Sequence, residues 1–284
     1  MKLLTLLSII IIVIFISCQK EIDWGLGGGN NASQLLVRIK SQTGTDTSQL
    51  DYYYDAAKRL IREKTTGNTA GTSLDNELII NRNTTGTITT TIQKAAALVA
   101  VGIDSVVTTF YYNTGTSKYT ASVFVLPVPG FTVKDSAVYT YDAANRIISD
   151  AHYLQVTGLP LPLPPILSLK NNYTYSSTGN NLLNIQQEAA STPGGPLSPV
   201  ASQTYLYDSK VNPLNILNEA ILIARPGLFS ANNPAKQTVA NTISPANDFT
   251  MDYTYVYNNA NVPDSSFATR TPGGTVTVSK YFYR

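Results

Sequence analysis

The chain has 284 residues, only 13% of them charged, with 18 tyrosines, one cysteine and a formal net charge of +2. So small a charge supplies no field to draw nucleic acid or steer an anionic substrate. A single cysteine rules out internal disulfides and thiolate metal sites.

In chain order, Lys2 precedes an apolar run from Leu3 to Ile16. As a helix this run would rise about 21 Å, short of the roughly 30 Å of a bilayer's hydrocarbon. Residues 1–17 therefore read as an export leader rather than a membrane span. Phe15-Ile16-Ser17-Cys18 resembles a bacterial lipobox. The resemblance implies cleavage before Cys18 and acylation of Cys18, and two or more acyl chains hold a protein stably at about 0.8 kcal/mol per buried methylene. The next residues, Gln19-Lys20-Glu21-Ile22-Asp23, resemble the charged export signal of Bacteroidota outer-membrane lipoproteins, which implies display toward the medium. Residues 18–33, with Trp24 and the run Gly27-Gly28-Gly29, lack periodicity and read as a flexible tether.

Residues 34–284 read as one repeat domain. Strand alternation puts i and i+2 on one face, and aromatic i, i+2 pairs recur as Tyr52/Tyr54, Phe110/Tyr112, Tyr139/Tyr141, Tyr173/Tyr175, Tyr205/Tyr207, Tyr253/Tyr255 and Tyr281/Tyr283. Their spacing gives a period of about 30 residues, with an aliphatic copy expected at Leu78-x-Ile80-Asn81. After the pairs come Asp55, Asn81, Asn113, Asp142, Ser176 and Asp208, each able to accept a bond from a main-chain N–H two residues on and so start a turn. An apolar run then resumes, as at Leu60-Ile61, Ile147-Ile148 and Leu182-Leu183. Each unit is a predicted β-hairpin.

The unit Tyr139-Thr140-Tyr141-Asp142-Ala143-Ala144-Asn145-Arg146-Ile147 resembles the Tyr-Asp repeats of Rhs-type proteins, as does Tyr52 to Leu60. Asn145 and Lys58 stand where that family has Gly. The resemblance implies a shell of hairpins and no reaction. With leader and tether included, the chain resembles uncharacterised Bacteroidota lipoproteins carrying degenerate copies of this repeat.

Three segments interrupt the period. Residues 156–169 hold Pro160, Pro162, Pro164 and Pro165 and are expected to form an extended apolar loop, and Thr192 to Pro199 a plain connector. Pro213 to Phe229 spaces Leu214, Leu217, Ile221 and Leu228 for a short helix. Lys94 to Gly102 suits either a helical turn or a buried strand.

Chemistry is sparse. His152 is the only histidine and shares a strand face with Asp150, but no flanking glycine elbow presents a serine, so a surface histidine is the expected reading. The glutamates beyond the tether, Glu63, Glu77, Glu188 and Glu219, fall in different units and nominate no paired carboxylates. Turns of adjacent hairpins lie about 9.5 Å apart, so the turn acids Asp55, Asp142 and Asp208 are too far apart to share a calcium ion. The aromatic ladder is the one feature with a ligand role, the candidate stacking residues being Tyr139, Tyr141, Tyr173, Tyr175, Tyr205 and Tyr207; packing of the sheet against itself is the competing role.

The expected fold is all-β, an antiparallel meander of hairpins curled into a sheet or barrel-like half-shell with one short helix. The expected function is a lipid-anchored outer-membrane or cell-surface protein acting as a non-catalytic structural or binding module. It has no cofactor, no metal and no nucleic-acid partner, and an envelope protein or a glycan as its candidate partner. The alternative is a glycan-binding or hydrolase-accessory protein with a site on the inter-repeat loops.

Overall fold

Runs of alternating apolar and polar residues set off by Gly, Asn and Asp form strands joined by tight turns. The computed structural model describes residues 35–128, 130–158, 164–177, 181–213, 219–223 and 230–284. The leader, Cys18 and the tether, like Leu214, Leu217 and Leu228, lie outside the described residues. The first half of the chain forms β1 (Leu36–Thr43), β2 (Asp46–Tyr54), β3 (Leu60–Thr69), β4 (Thr72–Arg82), β5 (Ile88–Ala95), β6 (Val106–Asn113), β7 (Lys118–Val128) and β8 (Phe131–Tyr141). The second half forms β9 (Ile147–Thr157), β10 (Ile166–Tyr175), β11 (Leu182–Ala190), β12 (Leu197–Val211), β13 (Asn232–Asn241), β14 (Phe249–Tyr257), β15 (Pro263–Thr271) and β16 (Val276–Tyr283).

Every strand pairs antiparallel with its chain neighbours, and β1 pairs with β16, so the sheet is a closed barrel rather than a half-shell. Closure removes the two rows of unpaired N–H and C=O groups that an open meander would expose. The seam repeats the hairpin without its turn. Leu35 N donates to Arg284 O at 2.9 Å and Arg284 N to Leu35 O at 3.0 Å. Within an ordinary unit Asp55 N reaches Arg59 O at 2.9 Å, and Asp142 N reaches Arg146 O at 3.0 Å. The barrel thus contains eight hairpin units, and β16 with β1 makes the eighth.

The register corrects one unit and lengthens another. Asn83, not Asn81, accepts the turn bonds, from Thr85 N at 3.1 Å and Thr87 N at 2.9 Å, while Asn81 bonds Thr90. The second unit is therefore Ile80-x-Arg82-Asn83. In the seventh, Asn258 takes the turn position, accepting from Ala260 N at 2.9 Å, so Tyr257 directly precedes the turn, while Tyr253 is the buried first ring and Tyr255 donates to Pro234 O at 2.9 Å as second rings do. Lys58, Asn145 and Asn261 occupy the same turn position with φ of 59°, 61° and 59°. This left-handed backbone suits Asn and strains Lys.

Short helices sit in two connections: α1 (Ala96–Val99), in the segment open to either reading, and α2 (Glu219–Leu222), in the expected helical insert between β12 and β13. Residues 156–157 and 166–169 extend β9 and β10, which shortens the Pro-rich loop, and β12 begins at Leu197, inside the expected connector. The sixteen strands close around one main core, lined by Leu36, Ile39, Tyr52, Leu60, Ile88, Tyr139, Ile147, Tyr173 and Leu182 on the inward face. The outward face carries ion pairs along its strands, among them Arg38–Asp51, Arg62–Glu77, Lys64–Asp75 and Lys236–Asp252.

Candidate functional site

Barrels of this strand number enclose more space than their side chains fill, so function is sought in the interior. The end carrying the tyrosine pairs is sealed. In six units a ring hydroxyl donates to a main-chain carbonyl on the preceding unit's return strand: Tyr54 to Leu36 O at 2.7 Å, Tyr141 to Tyr119 O at 2.9 Å, Tyr255 to Pro234 O at 2.9 Å, Tyr283 to Pro263 O at 2.7 Å, and Tyr175 and Tyr207 to the carbonyls of Ile147 and Leu182. The turn cation of one unit lies over the ring directly before the next unit's turn, as Lys118 over Tyr141, Arg146 over Tyr175 and Lys210 over Tyr257. Arg284 covers Tyr54 in the same way across the seam. Hydrogen bond and cation–π contact together explain the spacing of ring, acid and base in the repeat.

Arg82 takes the place of a second ring for a different reason. Its guanidinium donates to Leu60 O, at 3.2 and 3.1 Å, and makes a bidentate pair with Glu219 of α2 at 2.8 and 2.7 Å. Glu219 follows β12, eight strands from β4 in a barrel of sixteen, so its pair with Arg82 joins opposite sides of the closed end. Ile221, Leu222 and Ile223, which follow it, are buried in the core with the rings. The Arg82 side chain is only 6% exposed, a depth at which a charge without its partner is costly.

Above this floor the interior divides: Val106, Leu126 and Val133 form a second apolar cluster with Ile103, while from His152 round to β13 the inward face turns polar. On β9 and β8, His152 Nδ1 lies 2.7 Å from Asp135 Oδ2, and its Nε2 3.5 Å from Asp150 Oδ1. Asp150 also accepts from Tyr173 Oη at 2.7 Å and Asn171 Nδ2 at 2.8 Å. Burial opposes the charge on His152, but the hydrogen bonds it donates to the Asp135 and Asp150 carboxylates outweigh it and push its pKa up to about 10. Burial likewise raises the Asp150 carboxyl, yet the His152, Tyr173 and Asn171 bonds hold it below the usual carboxylate range. His152 therefore faces the interior rather than the outer surface, as a fixed imidazolium. With a carboxylate at each ring nitrogen it keeps no lone pair for general-base work.

The polar layer continues through amides. Gln187 Nε2 donates to Asn171 Oδ1 at 3.1 Å; Gln237 Nε2 donates to Gln203 Oε1 at 3.2 Å; Tyr205 and Tyr253 donate to Gln203 and Gln237 at 2.8 and 3.2 Å. Asn171, Gln187, Gln203 and Gln237 are all part-exposed, and Gln93 of β5, on the same inward face, is exposed. Solvent therefore reaches this half of the interior. Among the described residues no group of three His, Cys, Asp or Glu side chains could hold a metal ion.

The six candidate stacking rings all lie on the inward face. Tyr139, Tyr173 and Tyr205 are buried, while Tyr141, Tyr175 and Tyr207 pack partly buried against the same core. All six hydroxyls are engaged, Tyr139 with Ser122 Oγ at 2.7 Å. Sequence reasoning missed Asp135, Asn171, Gln187, Gln203 and Gln237. The signal was available in Asn171-x-Tyr173 and Gln203-x-Tyr205, where the inward alternation extends two residues upstream onto an amide.

No protein-family model matches the chain, and no curated protein matches it. Among solved structures it is similar to a porin-like protein from Bacteroides uniformis, with TM-score 0.52 and 13% identity over 88% of this chain and 98% of that one. It is also similar to a porin-like protein from Bacteroides vulgatus, with TM-score 0.53 and 11% identity over 89% and 99%. At these identities the likeness is one of fold: an antiparallel barrel running nearly the full length of both.

Proposed function

We propose that the chain is a cell-surface lipoprotein of the outer membrane, anchored through Cys18, whose barrel is a non-catalytic binding cup. The observation that carries the reading is the contrast within one lumen: one end filled by rings and tied across by the Arg82–Glu219 pair, the other lined along β10–β13 by part-exposed amides. The leader, lipobox and charged tether of residues 1–33 support the anchor, and the resemblance of the hairpin units to Tyr-Asp repeats supports a shell. The porin-like fold of the two Bacteroides proteins supports an envelope setting. His152, with both nitrogens occupied, supports the non-catalytic assignment.

A membrane-spanning pore fits less well. The outward pairs Arg38–Asp51, Arg62–Glu77 and Lys64–Asp75 lie along the strands, where each lipid-facing cation would cost about 2–4 kcal/mol at a bilayer's midplane. A water-exposed barrel held by a lipid tether carries no such cost. Cys18→Ala should abolish incorporation of labelled palmitate and release the chain from membranes, and protease added to intact cells should digest the wild type. For the cup, native mass spectrometry of protein extracted from envelopes should show a bound non-lipid ligand. Ala201→Trp, which fills the lumen beside Gln187, should displace it. Retention of palmitate by Cys18→Ala would overturn the anchor, and a ligand indifferent to Ala201→Trp would overturn the cup.

A further inference from the structure

The inward wall of β10–β13 is unlike the rest of the interior. Above the buried rings it presents Asn171, Gln187, Gln203 and Gln237 on four consecutive strands, and among the described residues that wall carries no formal charge. The charges of Asp135, Asp150 and His152 lie at its edge, where the one imidazolium bridges the two carboxylates and one negative charge is left over.

These amides do not serve the core. Holding a glutamine in one rotamer costs up to about 2 kcal/mol, and no apolar burial is gained in return. Their mutual bonds fix them in place instead, which is the preorganisation a binding site requires. Gln187 Nε2 is tied to Asn171, itself tied to Asp150, and Gln203 Oε1 is tied to Tyr205 and Gln237. Two groups are left over: Gln187 Oε1, an acceptor, and Gln203 Nε2, a donor, neither with a hydrogen bond among the described residues. In the strand register Gln187 faces Ala201 and Gln203 faces Ile185. The two amides are thus diagonal neighbours on adjacent strands, about 7–8 Å apart at that register and within reach of one small polar ligand.

We propose that this wall binds a neutral oligosaccharide, with Gln187 and Gln203 as its principal contacts; the proposal rests on the cup reading and names its ligand class. A sugar hydroxyl donates and accepts at once, so it answers a paired acceptor and donor as no carboxylate or ammonium can. A charged ligand would lose its hydration against a wall without a counter-ion. An apolar ligand would strand the amides, at about 1–3 kcal/mol for each polar group left unpaired.

The test uses the full chain in detergent on an array of neutral glycans, uronic-acid glycans and capped Gly/Ser peptides, followed by calorimetry with whichever probe is captured. A neutral glycan should bind. Gln187→Leu combined with Gln203→Leu should weaken it at least tenfold, and outward-facing Gln186→Leu should leave it unchanged. Circular dichroism and melting of each variant report the fold, and Gln187→Leu alone, distant from the ring hydroxyls, should still weaken binding if the double variant does not fold. Capture of no neutral glycan, or of one indifferent to Gln187→Leu, overturns the proposal. Capture of only acidic glycans or peptides, abolished by Ala201→Trp, overturns the ligand class and leaves the cup standing.

Discussion

At the turn end of the barrel, Tyr139, Tyr173 and Ile147 pack with Ile221, Leu222 and Ile223 in one buried core. On the same inward faces farther along the strands, Asn171, Gln187 and Gln203 bond one another and stay part-exposed. Strands, register and alternation are shared, so the difference is made by side chains alone. The closed end makes rings and aliphatics answerable to packing, and its polar atoms, such as the Tyr54 and Tyr141 hydroxyls, are spent on main-chain carbonyls. The open half spends its polar atoms on one another and leaves some over. Stability is expected to reside at the first end and recognition at the second.

The largest expected contrast comes from truncating one residue in each half. Tyr173→Ala should cost about 3–5 kcal/mol, since it empties a buried ring site and removes a partner of Asp150. Gln187→Leu should cost less than about 1 kcal/mol. Urea denaturation of the two variants decides, and equal losses would break the division into halves.

Arg82→Met tests the closure itself. Leaving Glu219 without its cation should cost about 3–5 kcal/mol, while Arg82→Met with Glu219→Met should recover most of that loss. A double variant as unstable as the single would mean that the insert is held by something other than this pair.

The polar layer carries its own pH signature. His152 binds its proton more tightly folded than unfolded, so its contribution is full below about pH 6.5 and disappears as pH rises through about 10. Across that window stability should fall by about 1.4 kcal/mol per pH unit, and His152→Gln should flatten the slope. Asp150, held low, acts in the opposite direction, and its contribution is lost on acidification. A wild-type stability curve flat from pH 7 to 9 would show that the imidazolium is not fixed as described.

The smallest effect belongs to a turn. Lys58→Gly should stabilise by about 0.5–1 kcal/mol by relieving φ of 59°, with Asn145→Gly worth less because Asn already tolerates that backbone. Thermal melting resolves the first, and no gain would mean that the Lys58 side chain makes compensating contacts.

Much of the closed end was legible in the chain. The i, i+2 rings, the Asp or Asn that starts each turn and the aliphatic that resumes after it are local patterns, and a strand's period of two converts them directly into an inward face and a hairpin. Local patterns also misplaced one turn by two residues, at Asn81, because a shift of two preserves the face and leaves alternation satisfied. Only the folded chain could decide that β1 meets β16, that Arg82 reaches Glu219 across the barrel, and that His152 sits between Asp135 and Asp150. Each joins residues far apart in sequence, and nothing in spacing carries the strand count and curvature that bring them together. By itself, the sequence determined the hairpin and its repetition; tertiary structure determined closure, and with closure an inside for the amides of β10–β13 to face.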